Sequence, residues 1–357
     1  MPSFVLRKNQ RRIAMNNILT VEENRGYRLL NEALGPLAIT LLEDNVIEVY
    51  CNSNSLNVWI EYVGIGRVKS NIILNGDDRR KIIQTVATFS QTVANKENPI
   101  ISAELPKYGY RFEGSLPDIS MLPSFNIRKP ANIVFTIDDY LSQGILNQKQ
   151  KDIICLAVKK KLNILIGGGT GSGKTTLCNA VLNEISKTGD RLVILEDTRE
   201  LQCTADDYES FRTSFTVTMN MLLRTTMRRR PDRIIVGEVR DGAAYDLLKA
   251  WNTGHPGGIS TTHANDVLES LKRIAALSLE SGGESSAPPL SVVNSLIGST
   301  VNIVVFISRS SSIKDGKVVK GRVVKQVGLI TGYNSESDIF DVIYDADEIL
   351  NRLENMY

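Results

Sequence analysis

The sequence lacks the features that mark membrane-spanning, disulfide-bonded and nucleic-acid-binding proteins. None of its apolar runs approaches the roughly 18–20 residues that cross a bilayer, so we expect no membrane span. Its 4 cysteines show no C-x-x-C spacing, and we expect them to be small buried side chains in a reducing compartment. With 42 basic and 40 acidic residues the net charge is +2, and aromatic residues make up only 6%. Charge therefore predicts no particular partner, and direct nucleic-acid binding is not indicated.

The N-terminal segment carries a basic cluster, Arg7, Lys8, Arg11 and Arg12, with no acidic residue before Glu22. No apolar segment follows the cluster, so we expect no signal peptide and a cytoplasmic location. We favour a solvated tail. The alternative is peripheral association with anionic lipid at the inner face of the inner membrane, worth about 1 kcal/mol per basic residue at best.

The hydrophobic pattern of the expected strands differs between two parts of the 357-residue chain. In the first third, short strands such as 56–62 alternate apolar and polar residues, and one helical pattern covers 82–93. From about Asn147 the strands become short and wholly apolar, namely Ile164–Ile166, Leu192–Leu195 and Ile234–Val236. Strands that are apolar on both faces and separated by helical lengths indicate a parallel sheet covered on both sides.

This change in the hydrophobic pattern of the strands predicts an α/β protein with two domains. We expect a mixed α/β domain over residues 1–133, a linker over 134–146, and a domain with a mainly parallel sheet over 147–357. A Ser/Gly/Pro-rich loop at 281–289 precedes three expected closing strands, Val301–Ile307, Arg322–Ile330 and Ile339–Tyr344. Ligands of such sheets gather at the carboxyl ends of the parallel strands.

A glycine-rich motif follows the first of the apolar strands. Residues 168–175 match G-x-x-x-x-G-K-[ST] between a strand and a helical pattern, the context that this phosphate-binding motif requires. The glycines let successive backbone N–H groups curl around phosphates at a helix N-terminus. We expect Lys174 to reach the β- and γ-phosphates and Thr175 to bind Mg²⁺. The predicted nucleotide-binding residues are Gly168, Gly169, Thr170, Gly171, Ser172, Gly173, Lys174, Thr175 and Thr176. No base-reading Asn-Lys-x-Asp motif follows the loop, which favours ATP over GTP.

Two further strands end in carboxylates. The apolar segment 233–238 ends in Glu238, as a Walker B segment does, but Gly237 stands where many P-loop enzymes have a Mg²⁺-binding Asp. We therefore expect Glu238 either to help hold Mg²⁺ or to act on the attacking water. Glu196, after the strand 192–195, is the second candidate for orienting the attacking water. Which of the two carboxylates is the general base stays open.

The chain has only 2 histidines, and both lie within the segment 254–265. His263 follows a short strand pattern at Ile259–Thr262, and this position at a strand end predicts a sensor of the γ-phosphate. For His255 a structural role is the interpretation we favour.

Four motifs stand in one order along the chain: 168–175, 194–201, 233–242 and 260–265. This order resembles the secretion and traffic ATPase superfamily, where the four are the Walker A motif, the Asp box, the Walker B motif and the His box. The Gly-Glu ending of the third motif belongs to that family's pattern. More narrowly, three stretches resemble the TrbB-type conjugative-transfer ATPases of type IV secretion, namely Ser102–Gly114, Phe125–Ala131 and Leu247–Gly258.

The resemblance implies a RecA-like P-loop domain after the mixed α/β domain, with six subunits in a ring and nucleotide between the two domains of one subunit. It also implies two arginines of the N-terminal domain that approach the γ-phosphate, and the matching positions are Arg111 and Arg128. The implied activity is Mg²⁺-dependent ATP hydrolysis that powers a conjugative-transfer apparatus. The implied partners are the inner-membrane components of a type IV secretion channel and its coupling protein. The predicted catalytic residues are therefore Lys174, Glu196, Glu238, His263, Arg111 and Arg128, and the predicted metal ligands are Thr175 and Glu238.

Three alternatives remain. A motor for pilus retraction or type II secretion shares the four motifs, although the TrbB-like stretches disfavour it. A RecA-like DNA motor would need a basic groove with interleaved aromatic residues, which the composition does not favour. A nucleotide-gated scaffold that binds ATP with little turnover is disfavoured by the presence of Glu196, Glu238 and His263.

Overall fold

The computed structural model describes residues 28–356 except 29, 64, 106–108, 131–134, 215, 281–287, 315 and 316. The chain splits into two compact units, Met1–Asn132 and Ile133–Tyr357. The N-terminal basic cluster, most of the loop expected at 281–289 and the start of the expected linker lie outside the described residues. Within the described ranges, no helix is long and apolar enough to cross a membrane.

The first unit is built on a six-stranded antiparallel sheet. Its strands are β1 (Val46–Cys51), β2 (Asn57–Tyr62), β3 (Gly66–Ile73), β4 (Ile100–Leu105), β5 (Tyr110–Ser115) and β6 (Ser124–Arg128), and its helices include α1 (Leu37–Thr40) and α2 (Gly76–Phe89). The strand order is β3-β2-β1-β6-β5-β4. Buried side chains of the sheet, such as Phe112 and Ile127, share one core with Ile83 of α2. Because side chains alternate along a strand, Arg111 and Arg128 lie on the opposite face of this sheet.

Helix α2 begins at a capping box and is shorter than its sequence pattern predicts. The Asn75 side chain accepts a hydrogen bond from the backbone N–H of Asp78, whose carboxylate accepts one from the N–H of Asn75. The helix ends at Phe89, and Gln91 then takes a positive φ of 55°. The expected continuation of the helix to Val93 is therefore wrong, and that side chain is exposed.

The second unit contains an eight-stranded sheet with the order β14-β13-β12-β7-β11-β10-β8-β9. Its strands are β7 (Ile164–Gly167), β8 (Leu192–Glu196), β9 (Tyr208–Arg212), β10 (Arg233–Val236), β11 (Ile259–Thr262), β12 (Ile303–Lys314), β13 (Lys317–Asn334) and β14 (Ile339–Ile343). The six strands from β12 to β9 in this order run parallel, whereas β13 and β14 pair antiparallel at one side. The predicted α/β class is confirmed.

Helices cover both faces of this sheet. They are α3 (Ile137–Ser142), α4 (Gln148–Lys159), α5 (Lys174–Ile185), α6 (Met219–Thr226), α7 (Ala243–Asn252), α8 (Val267–Leu279), α9 (Leu290–Thr300) and α10 (Ala346–Glu354). Along β7, Ile164 and Ile166 pack into one core with Leu177 of α5. The residue between them, Leu165, packs into the other core with Leu271 of α8. Burial on both faces explains why these strands are apolar at every position.

Two segments differ from their sequence-based expectation. Helix α3 lies within the expected linker 134–146, and its Ile137 and Tyr140 are buried in the core of the second unit. Strand β12 continues past its expected end to Lys314, and β13 begins before its expected start, at Lys317. Polar residues such as those at 308–312 carry no apolar alternation, so a strand pattern could not be recognised there.

Candidate active site

Four neighbouring strands of the second unit end at one edge of the sheet. Strands β7, β11, β10 and β8 are consecutive and parallel, so their carboxyl ends meet there. β7 leads into the glycine-rich loop 168–173, β11 is followed by His263, β10 by Gly237 and Glu238, and β8 ends at Glu196. The sheet thus brings together the predicted site residues of the second unit.

The glycine-rich loop connects β7 to the N-terminus of α5. Gly173 is the N-cap residue, with φ +97°, and no side chain caps the helix at this end. In the described part of the chain, the backbone N–H groups of Gly169, Thr170, Gly171 and Gly173 donate to no protein acceptor. Uncapped N–H groups at a helix N-terminus can bind an anion, and the helix dipole favours negative charge there.

The Lys174 side chain is buried inside this loop. Its Nζ atom donates to the carbonyl oxygens of Gly168 and Gly169, at 2.9 and 3.3 Å, and lies 3.3 Å from Nδ1 of His263. Burial lowers the pKa of Lys174, and the nearby Glu238 carboxylate partly offsets this effect. The structure therefore places the ammonium group at the loop whose bound phosphates it is expected to contact.

His263 bridges this lysine and the carboxylate at the end of β10. Its Nε2 atom lies 3.0 Å from Oε1 of Glu238. Burial, followed by the charge of Lys174, lowers the pKa of His263 and favours the neutral imidazole. Because Lys174 can only donate, Nδ1 must accept, and the ring proton is then on Nε2, facing Glu238. Oε1 of Glu238 is buried and accepts no hydrogen bond from the described residues, so the imidazole contacts both the lysine and the carboxylate but is not hydrogen-bonded to the carboxylate.

Arg240 holds the other oxygen of the same carboxylate. Its Nε atom donates a hydrogen bond to Glu238 Oε2 at 2.7 Å, and one terminal nitrogen lies 2.5 Å from the same oxygen in an ion pair. The remaining terminal nitrogen lies 3.8 Å from Oδ2 of Asp197. Arg240 was not among the predicted site residues, although its place two residues after Glu238 on an extended segment could have indicated it.

Glu196 is the most buried carboxylate of the site, with 3% of the residue exposed. Its Oε1 atom accepts the backbone N–H groups of Glu200 and Leu201, both at 2.8 Å. Its Oε2 atom is buried and has no hydrogen-bond partner among the described residues. Burial raises the pKa of Glu196 to about 7, although the two N–H donors oppose the rise. A Cβ atom at Gly237 would lie 3.1 Å from Glu196 Cγ, so Glu196 occupies the space that an aspartate side chain would need there.

We expect the nucleotide-free Glu196→Gln variant to gain stability relative to the wild type, and to gain more at pH 8 than at pH 5. The folded pKa of about 7 lies above the reference value of 4.5, so stability is lost as the pH rises from 4.5 through 7 and the buried group ionises. Glutamine cannot ionise, so the difference in unfolding free energy between variant and wild type should grow by about 2.5 kcal/mol between the two pH values. Thermal or urea unfolding at both values measures it, and Asp197→Asn is the control. An equal difference at pH 5 and pH 8 would contradict the raised pKa.

The two predicted arginines of the first unit face each other across neighbouring strands. Arg111 of β5 and Arg128 of β6 are register partners, the first half-buried and the second exposed. Glu104 is the register partner of Arg111 on β4, and Glu48 that of Arg128 on β1. The cross-strand row therefore has the two cations side by side in its middle and one carboxylate at each end. The remaining histidine, His255, lies away from the four strand ends, with Nδ1 2.9 Å from the Pro231 carbonyl oxygen.

The oxygen atoms of Thr175 and Glu238 are the donors that the sequence indicates for Mg²⁺. Nowhere in the described ranges do three or more His, Cys, Asp or Glu side chains form a group that could hold a metal alone. Mg²⁺ commonly takes one or two protein oxygens and completes its octahedron with substrate phosphates and water. A hydroxyl and one carboxylate beside a phosphate-binding loop suit a metal that arrives with the nucleotide, but in this structure Glu238 Oε2 is paired with Arg240 and would have to leave that ion pair to bind the metal.

Comparisons with known proteins concern the family and the fold of the chain. The family model for type II/IV secretion system proteins matches residues 67–328. The probable conjugal transfer protein TrbB of Sinorhizobium fredii is 46% identical over 289 residues, which cover 80% of this chain and 86% of the relative. The conjugal transfer protein TrbB of Rhizobium radiobacter is 44% identical over 314 residues, covering 87% and 92%. The crystal structure of the pilus retraction motor PilT with bound ADP shares the fold, with a TM-score of 0.58 at 18% identity over 91% of this chain and 87% of that one.

Proposed function

This chain belongs to the type II/IV secretion system protein family and has conjugal transfer proteins among its relatives, and we propose that it hydrolyses ATP with Mg²⁺ to power a conjugative-transfer apparatus. The resemblance drawn from the four sequence motifs is thereby confirmed. The observation that best supports the activity is the chain of contacts from Lys174 through His263 to Glu238 at neighbouring strand ends. Phosphoryl transfer depends mainly on positioning and on charge, and these side chains supply both.

In this proposal the phosphates of ATP bind to the backbone N–H groups of the glycine-rich loop and to Lys174. Thr175 and Glu238 would hold Mg²⁺, which neutralises charge on the β- and γ-phosphate oxygens when it is bound. Neutral His263 carries its proton on the nitrogen that faces Glu238. A γ-phosphate that draws Lys174 away from Nδ1 would release the imidazole, which lies 3.0 Å from the Glu238 carboxylate, and would so change the surroundings of that carboxylate.

Glu196 takes the role of general base. A pKa of about 7 suits a group that must accept a proton near neutral pH, and its Oε2 atom has no partner in the described part of the chain. As water oxygen bonds to the γ-phosphorus, its proton passes to Oε2, and the bond to the bridging oxygen breaks so that ADP leaves with the electron pair. Arg111 and Arg128 would contribute positive charge to the transition state when the first unit closes over the nucleotide.

The assembly and its partners follow from the family resemblance. We propose a ring of six subunits at the cytoplasmic side of the inner membrane, acting on the inner-membrane components of a type IV secretion channel and on its coupling protein. Relatives that are 44–46% identical and named conjugal transfer proteins favour this role over pilus retraction, since the likeness to PilT concerns the fold alone. Native mass with and without ATP tests the ring, and salt-dependent binding of single-stranded DNA would instead favour a DNA motor.

Glu238→Gln separates nucleotide binding from hydrolysis. The amide keeps the shape of the side chain but loses the charge that we assign to Mg²⁺, so ATP should still bind while phosphate release falls about 10²-fold. Equilibrium binding and phosphate release are measured on the same preparation, with Glu209→Gln on strand β9 as the control. Plasmid transfer should fail in cells that carry only the Glu238→Gln gene. Normal hydrolysis by this variant would remove Glu238 from the mechanism.

A further inference from the structure

A second cross-strand arginine pair lies in the second unit. Arg309 of β12 and Arg322 of β13 are register partners in the antiparallel pairing of these strands, and both are exposed. Within the described ranges, neither guanidinium group forms an ion pair with a carboxylate. Facing like charges destabilise a strand pair. The described protein residues therefore supply no counter-charge for two adjacent cations.

Both arginines lie against the phosphate-binding loop. Arg309 Nε donates to the Gly171 carbonyl oxygen at 3.4 Å, and a Cβ atom at Gly171 would collide with the Arg309 guanidinium group. A Cβ atom at Gly173 would lie 2.8 Å from Cδ and 3.1 Å from Nε of Arg322. These two glycines also have positive φ angles, +67° and +97°, that other residues rarely adopt. Glycine at these two positions therefore permits the turn of the loop and also leaves room for the two arginine side chains.

The register of the sheet explains how residues so distant in sequence reach the loop. Strand β12 runs parallel to β7, with Phe306 opposite Gly167 at the end of β7. Because β12 continues past this edge while β7 turns into the loop, Arg309 comes alongside Gly171. Strand β13 returns antiparallel and sets Arg322 beside Gly173. The part of the β12–β13 hairpin beyond the sheet edge is what positions the pair.

We propose that Arg309 and Arg322 bind the phosphate groups of a nucleoside di- or triphosphate held in the glycine-rich loop. The inference rests on the proposed function, and it adds an anion-binding element that belongs to the second unit itself. The phosphates supply the counter-charge that the described protein residues do not, and guanidinium groups suit phosphate oxygens in geometry as well as charge. Affinity for ADP and ATP is then set in part by this pair, whereas Arg111 and Arg128 act on turnover.

The test compares equilibrium binding of ADP and ATP to the full chain and to two double variants. R309Q/R322Q keeps hydrogen-bond donors but removes both charges, and R309K/R322K keeps both charges. We expect R309Q/R322Q to weaken ADP binding about 10- to 100-fold at low salt, and less at high salt because the screening length shortens. R309K/R322K should bind more tightly than R309Q/R322Q and less tightly than the wild type, because lysine keeps the charge and loses the guanidinium geometry. K325Q removes one exposed charge elsewhere on β13 and should bind as the wild type does.

The outcomes distinguish this inference from the function on which it rests. Wild-type affinity in R309Q/R322Q would overturn the phosphate contact and leave the proposed function intact. Weak binding by R309K/R322K together with normal binding by R309Q/R322Q would assign the pair to shaping the loop through Gly171, which also overturns the proposal. If the wild type itself binds neither ADP nor ATP, the proposed function fails first. Thermal unfolding without nucleotide should be similar for all four proteins, so that binding differences reflect the site.

Discussion

Replacing Lys174 by alanine is expected to lower phosphate release from Mg²⁺-ATP by about 10³-fold, because the phosphates then lose the one ammonium group inside the loop. The side chain is buried, and it contacts two loop carbonyl oxygens and His263 rather than the apolar core. Its removal should therefore leave the sheet and its cores folded. Phosphate release, equilibrium ATP binding and circular dichroism of the same preparation measure the three effects.

Lys187→Ala is the matched control for this variant. Lys187 lies just beyond the other end of α5, where it pairs with Glu184 and is exposed. The Lys187→Ala variant should hydrolyse ATP at the wild-type rate. An exposed ion pair contributes little to stability, and this pair lies at the opposite end of the helix from the loop. Wild-type turnover in folded Lys174→Ala would rule out the glycine-rich loop as the catalytic phosphate site.

The double change Arg111→Ala and Arg128→Ala is expected to reduce turnover at least as strongly as Lys174→Ala, with ATP binding retained. Arginines that stabilise the transition state of phosphoryl transfer contribute roughly 10³–10⁵-fold in the best-studied cases. These two belong to the first unit, whereas the loop belongs to the second, so they can act only if the first unit closes over the nucleotide. If they are ordinary solvated charges, the effect should stay within about 0.5 kcal/mol.

Two measurements make this test specific to closure. Arg67→Ala removes another exposed arginine from the same sheet, at the edge strand β3, and should leave turnover unchanged. A chain that lacks residues 1–133 should still bind ATP but hydrolyse it poorly. Full ATPase activity in that shortened chain would contradict closure while leaving the phosphate site in place.

The parts of the fold that the sequence could predict are those in which one physical cause dominates. Strands β7, β8 and β10 are buried on both faces, so their apolar runs have no other explanation and their bounds are recovered to within one residue. Each is followed by a polar motif, and parallel pairing alone then brings the motifs to one edge. Helix α3 was missed for the opposite reason: it is short, and only contacts of Ile137 and Tyr140 with residues distant in sequence make it part of a core.

The site residues that the sequence did not indicate depend on strand register and on hydrogen bonds. Arg309 and Arg322 lie far from the four motifs, the first beyond an expected strand and the second at the start of one, and only the pairing of β12 with β7 and β13 brings them to the loop. Arg240 lies next to a motif, but its role depends on the hydrogen bond that its guanidinium group donates to Oε2 of Glu238. Motif spacing contains no information about such contacts.

A single-turnover experiment tests the central claim, ATP hydrolysis at the glycine-rich loop, most directly. The purified full chain is mixed in excess with ATP, and the reaction is quenched at intervals in the presence of Mg²⁺ or of EDTA. We predict that bound ATP is converted to ADP and phosphate with Mg²⁺ and stays intact with EDTA. ATP that binds but is recovered intact under both conditions would contradict the account and indicate a nucleotide-gated scaffold instead.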